Sequence, residues 1–148
     1  MKKGVDFTGI CVIFFCHDGN GRFVMGKRSN KTRDEHGRWD VGGGGLKFRE
    51  TIEDALRREL KEEYGADVLD YEFLGYREAF REHEGNPTHW LAMDFKVLVD
   101  PAAVKIMEPD MFEEIGWFTE STMPEHVHSQ LPLALARYEG RLFQTDKK

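Results

Sequence analysis

The sequence predicts a fold of the α/β or α+β class, in which helices pack against a β-sheet. Segments rich in β-branched and aromatic residues alternate with two helical segments, an order typical of a layered sandwich of helix on sheet. The 148 residues suffice for one core, and no linker, internal repeat or low-complexity tract interrupts them. We therefore expect a single domain over residues 1–148.

The N-terminal part of the chain predicts three strands. Residues 7–16 and 22–28 have strand composition, and the turn-forming cluster 17–21 between them predicts a β-hairpin. Residues 39–41 form a short third candidate that runs into four consecutive glycines, 42–45. Glycine destabilises regular structure by about 0.5–1 kcal/mol relative to alanine. The glycine run therefore indicates either a slack linker or backbone that must approach another group closely.

A helix is predicted to begin after Thr51 and to run to about Tyr64. Thr51 is followed three residues later by Asp54, which fits a capping box, and Gly65 is a natural C-terminal stop. Further strands are predicted over 67–81, bent or bulged, and over 88–99 and 112–118. A final amphipathic helix is predicted over 124–140.

Charge and cysteine content narrow the class of protein. The net charge of −6 argues against a primary role in binding duplex nucleic acid. No apolar run approaches the ~20 residues of a membrane span, and the N-terminus resembles a first strand rather than a targeting segment. Cys11 and Cys16 would point to opposite faces of one strand, so neither a disulfide nor a metal pair is expected. Reduced cysteines favour a cytoplasmic protein.

The predicted helix carries acidic residues on its apolar face. On a wheel at about 100° per residue, Glu59 falls at about 340° and Glu63 at about 20°, within the apolar stripe, and Glu62 falls at about 280°, on its flank. The stripe itself consists of Ile52, Ala55, Leu56 and Leu60. Like charges four residues apart repel, and buried unpaired carboxylates are costly. The pattern indicates either a solvated acidic helix end or a cation site of oxygen ligands, which suit Mg²⁺ or Mn²⁺ better than Zn²⁺.

A longer motif contains this helix. Gly44 is followed after five residues by Glu50, and after seven more by the run RELKEEYGA, residues 58–66. This spacing resembles the Nudix box, G-x5-E-x7-R-E-U-x-E-E-x-G-U, where U is a bulky aliphatic residue. Ala66 is the one departure, since it is smaller than the usual aliphatic residue.

The resemblance implies a fold and a reaction. The fold would be the Nudix fold, an α/β/α sandwich around a mixed β-sheet. The reaction would be the metal-dependent hydrolysis of a nucleoside diphosphate linked to another group X, with Mg²⁺ or Mn²⁺ as cofactor. The glycine run would then let a loop turn sharply into the helix and bring its backbone near the metal and the pyrophosphate.

Site residues follow from the resemblance position by position. Metal binding and base catalysis fall on three carboxylates, Glu59, Glu62 and Glu63. The carbonyl of Gly44 would help to hold the metal. Glu50 and Arg58 match a pair that steadies the loop and the helix, and the resemblance makes Glu50 a candidate to lie near the metal. The resemblance leaves open which acid accepts a proton from water, since some relatives use one outside the box; the candidates there are Glu108, Asp110, Glu113 and Glu114.

Other side chains are weaker candidates for substrate contacts. Trp39 and Trp90 are candidates for base stacking or for half-buried sheet positions. The basic residues that could reach phosphates or lie in solvent are Lys27, Arg28, Lys31 and Arg33. His126 and His128 diverge on a helix, so we expect no metal site there.

The substrate class is predicted by excluding the motifs of other Nudix subfamilies. The proline typical of ADP-ribose enzymes about 16 residues past the box is missing from 76–84, and His83 and Glu84 stand where dinucleoside-polyphosphate enzymes tend to carry a tyrosine. A MutT-like (d)NTP pyrophosphohydrolase is therefore expected, with ADP-ribose or sugar nucleotides as alternatives. A non-catalytic nucleotide sensor is less favoured because all three glutamates are present. The family resemblance also makes a homodimer plausible.

Overall fold

The computed structural model describes residues 1–143. Seven strands and two α-helices follow one another along the chain. In chain order they are β1 (Gly9–His17), β2 (Phe23–Arg28), β3 (Trp39–Asp40), β4 (Gly42–Gly45), α1 (Ile52–Tyr64), β5 (Asp70–His83), β6 (Asn86–Leu98), β7 (Phe112–Phe118) and α2 (Leu131–Leu142). Among these residues, neither helix has the length and apolar character that crossing a membrane requires.

The strands form one mixed sheet, as the resemblance implied. Its main path runs β3-β2-β1-β6-β5, with β4 also paired to β1 and β7 to β2. The pairing of β1 with β6 is parallel along the whole of β1, and the other pairs are antiparallel. Parallel neighbours cannot be joined by a tight turn, so the chain between them makes a crossover that contains α1.

The predicted hairpin of the first two strands forms, but its pairing is confined to the end next to the turn. β1 and β2 exist where the sequence indicated, but they pair only at His17 and Phe23. One edge of β1 is taken by β6, and residues Cys11–Phe14 pair with the glycine strand β4. Along the rest of its length, β2 pairs with β3 and β7. Local turn signals cannot reveal this, because the competing partners lie far away in sequence.

The glycine run is a strand and not a sharply turning loop. Gly42–Gly45 pair with β1 in register, and none of the four has a positive φ. The prediction of a turn was therefore wrong, because extended backbone is open to any residue. What these positions require is the absence of a side chain, and the reason lies in the site described below.

Helix α1 forms where the sequence predicted it. The Thr51 hydroxyl accepts a hydrogen bond from the backbone N–H of Asp54 at 3.0 Å, and Gly65 ends the helix with a φ of 70°. Both ends are thus set by residues next to them in sequence.

The later elements differ from the prediction at their ends. β5 is bulged between Phe73 and Gly75, as expected for a long irregular strand. α2 begins at Leu131 rather than at residue 124. The preceding residues pair with β3: Trp39 donates its N–H to the carbonyl of His126, and His128 donates its N–H to the carbonyl of Trp39. Because these backbone groups bind a strand, the helix cannot start before them.

Two apolar cores lie on the two faces of the sheet. The first packs α1 on the even-numbered residues of β1, with Leu56, Leu60 and Tyr64 fully buried. The second packs α2 on the other face, through Leu131, Ala134 and Tyr138 among others. Cys16 belongs to the first core, whereas Cys11 lies on the second face; both are free, which confirms the predicted opposite orientation.

Candidate active site

A cleft of about 290 Å³ opens on the face of the sheet that α2 partly covers. Ile13 and Phe15 of β1 and Leu131 and Ala134 of α2 contribute apolar lining, continuous with the second core. The glycine strand β4 and the Glu63 side chain also line it. Two groups of charged residues meet at the cleft. The arginine cluster (Arg28, Arg33, Arg77, Arg81) lines it, whereas the carboxylate cluster (Glu50, Glu59, Glu62, Glu63, Glu108) reaches the lining through Glu63.

Glu63 is the most unusual carboxylate of the chain. It is 2% exposed, and its Oε1 atom has no hydrogen-bond partner among the described residues. Burial raises the pKa of Glu63 well above its ordinary value, and the charges of Glu108, Asp40 and Glu59 add to that effect, while the backbone amide of Gly43 opposes it. A buried carboxylate surrounded by other acids is costly unless a cation joins it.

The glycine strand makes room for these carboxylates. A Cβ added at Gly44 would overlap the Glu59 carboxylate. One added at Gly42 would overlap Glu63 and lie 2.8 Å from Cζ of Phe14. Bare backbone is thus required for helix α1 to bring its acids against β4. This answers the question raised by the glycine run in favour of close approach.

Arg58 holds three acids of the box together. Its Nε and Nη2 donate to the two carboxylate oxygens of Glu50 at 2.7 and 2.8 Å. Its Nη1 donates to Glu59 at 2.7 Å and to Glu62 at 3.3 Å, and Nη2 also donates to the carbonyl of Gly45 at 3.1 Å. The two-point hydrogen bond from Arg58 lowers the pKa of Glu50 to about 2. One guanidinium therefore ties the loop before α1, the helix and β4 into a single unit.

The chemistry of the donor set fits a divalent cation with oxygen ligands. The buried, unpartnered Glu63 oxygen, the backbone of β4 that no Cβ covers, and the neighbouring Glu59 supply such oxygens. In residues 1–143, however, no three acidic, His or Cys side chains converge closely enough to hold an ion. Arg58 binds one carboxylate oxygen of Glu59 and one of Glu62.

Only one of the four loop acids approaches this cluster. Burial, together with the charges of Glu59 and Glu62, raises the pKa of Glu108. Asp110 instead forms an ion pair with Lys31 at 3.3 Å. Glu113 pairs with Lys27 at 3.5 Å, and Glu114 is exposed on β7. Of these four loop acids, Glu108 is the one whose pKa the carboxylate cluster raises.

The arginine cluster is largely neutralised by its own acids. Arg28 pairs with Asp34 at 3.1 Å and with Asp40 at 3.8 Å. Arg81 pairs with Asp34 at 3.3 Å and with Glu35 at 2.7 Å. Arg77 pairs with Asp94 at 2.7 Å.

Sequence reasoning missed the Arg77–Asp94–Tyr138 group. Arg77 donates from Nε and Nη2 to the two oxygens of Asp94 at 2.7 and 2.8 Å, and the Tyr138 hydroxyl donates to Asp94 at 2.8 Å. Asp94 is fully buried. A charged residue in the middle of the apolar strand 88–99 was the available signal, but nothing in the sequence identified its partners.

Asp40 was also missed. It lies at the end of β3, lines the cleft and accepts a hydrogen bond from the backbone N–H of Val41. Burial raises the pKa of Asp40 to about 7, against the lowering effect of Arg28. An acid just before the glycine run was the signal that could have found it.

Of the aromatic and histidine candidates, Trp90 and His128 line the cleft. Trp90 lines the cleft, and Gly4 and Gly9 pack against its indole. Trp39 packs edge-on against Phe118, with ring centroids 5.1 Å apart, as a sheet residue. His126 and His128 belong to no metal-binding group among the described residues. His128 lines the cleft, and burial lowers its pKa to about 4.

Comparison with known proteins identifies the family. The profile described as "NUDIX domain" matches residues 8–137. This chain belongs to the Nudix family. It is accordingly a hydrolase that acts on pyrophosphate bonds, with the mixed-sheet fold that the box implied.

Individual Nudix relatives support the assignment. The chain is 26% identical over 121 residues to a protein named nucleoside triphosphatase NudI from Enterobacter sp. (strain 638), covering 78% of this chain and 84% of that one. Its match to the protein of the same name from Escherichia coli (strain K12 / DH10B) is 38% identical but spans 50 residues, 34% of this chain and 36% of the relative.

Solved structures show the same fold. A MutT NUDIX hydrolase from Burkholderia pseudomallei superposes with a TM-score of 0.78 at 25% identity, covering 89% of this chain and 98% of that one. A MutT protein from Methanosarcina mazei Go1 superposes with a TM-score of 0.77 at 21% identity, covering 93% and 96%.

Proposed function

We propose that this protein is a cytoplasmic, divalent-metal-dependent nucleoside triphosphate pyrophosphohydrolase of MutT type. The observation that carries the proposal is Glu63, a buried carboxylate with an unpartnered oxygen that lies against bare backbone at the edge of the cleft. The printed name of the NudI relatives, nucleoside triphosphatase, supports a triphosphate as substrate.

The residues proposed to hold Mg²⁺ or Mn²⁺ belong to the box. They are the carboxylates of Glu59, Glu62 and Glu63 and the carbonyl of Gly44. A bound divalent ion would neutralise the pyrophosphate, orient it and lower the pKa of a bound water. Because Arg58 binds Oε1 of Glu59 and Oε2 of Glu62, the other oxygen of each carboxylate would hold the ion.

The protein's own groups have separate tasks in the proposed reaction. Water attacks a phosphorus atom, a new P–O bond forms, and the bridging P–O bond breaks to release nucleoside monophosphate and pyrophosphate. A carboxylate not engaged by the cation accepts the proton of the water. Glu108 is the candidate, since Glu59, Glu62 and Glu63 are assigned to the cation and Arg58 engages Glu50. Arg58 and Glu50 are positioning residues, because their hydrogen bonds hold β4 against α1.

A substrate panel tests the proposal. With Mg²⁺ present, phosphate and pyrophosphate release is measured for NTPs, dNTPs, oxidised dNTPs, ADP-ribose, sugar nucleotides and dinucleoside polyphosphates. We expect one or more triphosphates to be turned over well above the rest, with pyrophosphate as product. A preference for ADP-ribose or a sugar nucleotide would replace the proposed substrate class and leave the hydrolase assignment in place.

Metal dependence has its own test. Dialysis against EDTA is expected to abolish turnover, and Mg²⁺ or Mn²⁺ is expected to restore it. Adding the ion should also raise the melting temperature of the wild-type protein, because ligands that bind only the folded state stabilise it. Full activity after EDTA treatment would contradict the proposed role of the box carboxylates.

A further inference from the structure

The loop 29–38, between β2 and β3, is held in shape by its own hydrogen bonds. The Thr32 hydroxyl donates to the carbonyl of Ser29 at 2.8 Å, and a ring nitrogen of His36 lies 2.6 Å from the carbonyl of Thr32. Arg28 donates from Nε to the carbonyl of Asp34 at 3.1 Å. A loop with these internal contacts presents its remaining side chains from a defined backbone.

Glu35 anchors the loop beside the cleft. It has a φ of 56°, in the left-handed region that non-glycine residues seldom adopt. Its carboxylate accepts hydrogen bonds from Arg81 of β5 at 2.7 Å and from the backbone N–H of Ser129, just before α2, at 3.1 Å. Three separate parts of the chain therefore meet at this one side chain, and these contacts stabilise the strained backbone.

Arg33 differs from the other charged residues around it. Lys31 pairs with Asp110, Arg28 with Asp34, and Arg38 with Glu35. Arg33 is exposed and lines the cleft, yet within residues 1–143 it forms no ion pair or hydrogen bond. Of the arginine cluster, it is the member whose charge no acid of the described chain neutralises.

This unpaired charge matters because of the substrate. A triphosphate brings several negative charges into a cleft where Arg28, Arg77 and Arg81 are already matched by carboxylates. A guanidinium binds phosphate oxygens through two parallel N–H donors, which gives both strength and orientation. Leaving one cleft arginine without a partner avoids the loss of an internal ion pair when phosphate binds.

We propose that Arg33 is a substrate-binding residue that contacts the phosphate chain, so that affinity rises with the charge of the polyphosphate. This inference rests on the proposed function and names the residue that selects polyphosphate. The 29–38 loop, anchored by Glu35, positions Arg33 at the cleft.

The test compares Arg33→Gln, Arg33→Lys and a matched control, Arg137→Gln. Arg137 is an exposed arginine of α2 with the same charge, and it lies outside the cleft lining. Two quantities are measured with Mg²⁺: the KM of the best nucleoside triphosphate from the panel, and the inhibition constant of inorganic tripolyphosphate, which has no base.

For Arg33→Gln we expect both constants to rise about tenfold or more, as for loss of a charge-assisted hydrogen bond, with kcat changed much less. Arg33→Lys should restore part of the affinity, and Arg137→Gln should match the wild type. Melting temperatures should stay unchanged, because Arg33 has no partner to lose.

Two results would overturn the inference. A raised KM with an unchanged inhibition constant would show that Arg33 contacts the base, and no change in either constant would remove it from the site. If the wild type hydrolyses triphosphates and Arg33→Gln leaves both constants unchanged, the inference about Arg33 fails and the proposed function stands. A wild-type protein that hydrolyses no triphosphate removes both it and the proposed substrate.

Discussion

The carboxylate cluster and the arginine cluster handle charge in opposite ways. In the first, Arg58 pairs with three of the five acids, Glu50, Glu59 and Glu62, and among the described residues Glu63 and Glu108 form no ion pair. In the second, Arg28, Arg77 and Arg81 each meet acids of their own, and only Arg33 is left over. One group therefore carries excess negative charge, and the other is almost balanced.

This difference in charge balance indicates that one cluster binds a ligand and the other supports the structure. Excess charge in a folded protein is unfavourable unless a ligand of opposite charge joins it. The carboxylate cluster thus suits a cation, whereas the balanced pairs of the arginine cluster suit the support of the cleft. The predictions below compare changes that should lower activity with changes that should lower stability.

Glu63→Gln should have the largest effect. We expect turnover to fall by orders of magnitude while the melting temperature stays the same or rises, because a neutral amide replaces a buried carboxylate among other acids. The measurement is kcat with Mg²⁺, together with thermal unfolding. Glu53→Gln, the same change on the exposed side of α1, is the control and should leave kcat unchanged. Near-normal activity would remove Glu63 from the mechanism.

Asp94→Asn should lower the stability of the fold, in contrast to Glu63→Gln. It leaves the Arg77 guanidinium without its buried counter-charge, which typically costs about 3–5 kcal/mol. The free energy of unfolding, measured in urea, should fall by that amount. Tyr138→Phe removes a single hydrogen bond to Asp94 and should cost about 1–3 kcal/mol. An Asp94→Asn variant as stable as the wild type would show that the pair does not support the fold.

Gly44→Ala tests why the glycine strand is bare. A methyl group there would overlap the Glu59 carboxylate and displace it. A displacement of about 1 Å in such a site lowers turnover by roughly 10²-fold, and overpacking costs about 1–3 kcal/mol. The control is Gly140→Ala in α2, where the added methyl meets nothing within 4 Å. That variant should be more stable by about 0.5–1 kcal/mol with kcat unchanged; equal behaviour of the two variants would refute the explanation.

His128 gives the smallest predicted effect, through pH. Its folded-state pKa of about 4 lies below the ordinary 6.5 because the ring is buried. Between these two values the unfolded chain binds a proton at His128 that the folded chain does not, so the contribution of His128 to stability falls as pH is lowered from 6.5 to 4, while the raised pKa of Asp40 acts in the opposite direction. The slope reaches at most about 1.4 kcal/mol per pH unit.

Urea unfolding at several pH values measures the His128 contribution. His128→Gln should lose less stability than the wild type as pH is lowered through this window, whereas His126→Gln, an exposed histidine nearby, should leave the slope as in the wild type. Identical slopes for the wild type and His128→Gln would contradict the assignment.

Local signals predicted helix α1 well. Its start at Thr51, its end at Gly65 and the inward position of Glu63 all follow from neighbouring residues and helical periodicity. The spacing of the box likewise identified the family. In contrast, the predicted turn at the glycine run and the predicted start of α2 were wrong, and the pairing of β1 with β4 and β6 was not predicted, because each depends on pairing between segments distant in sequence.

By itself, the sequence determined the family, the helix that carries the acids and the residue types available to bind a cation. These properties depend on fixed spacing and on contacts within one or two helical turns. Only the tertiary structure decided that Arg58 gathers three acids, that Asp94 joins β5, β6 and α2, and that Arg33 is left unpaired. The physical reason is that charge balance depends on distance in space, and folding brings together residues that are far apart along the chain.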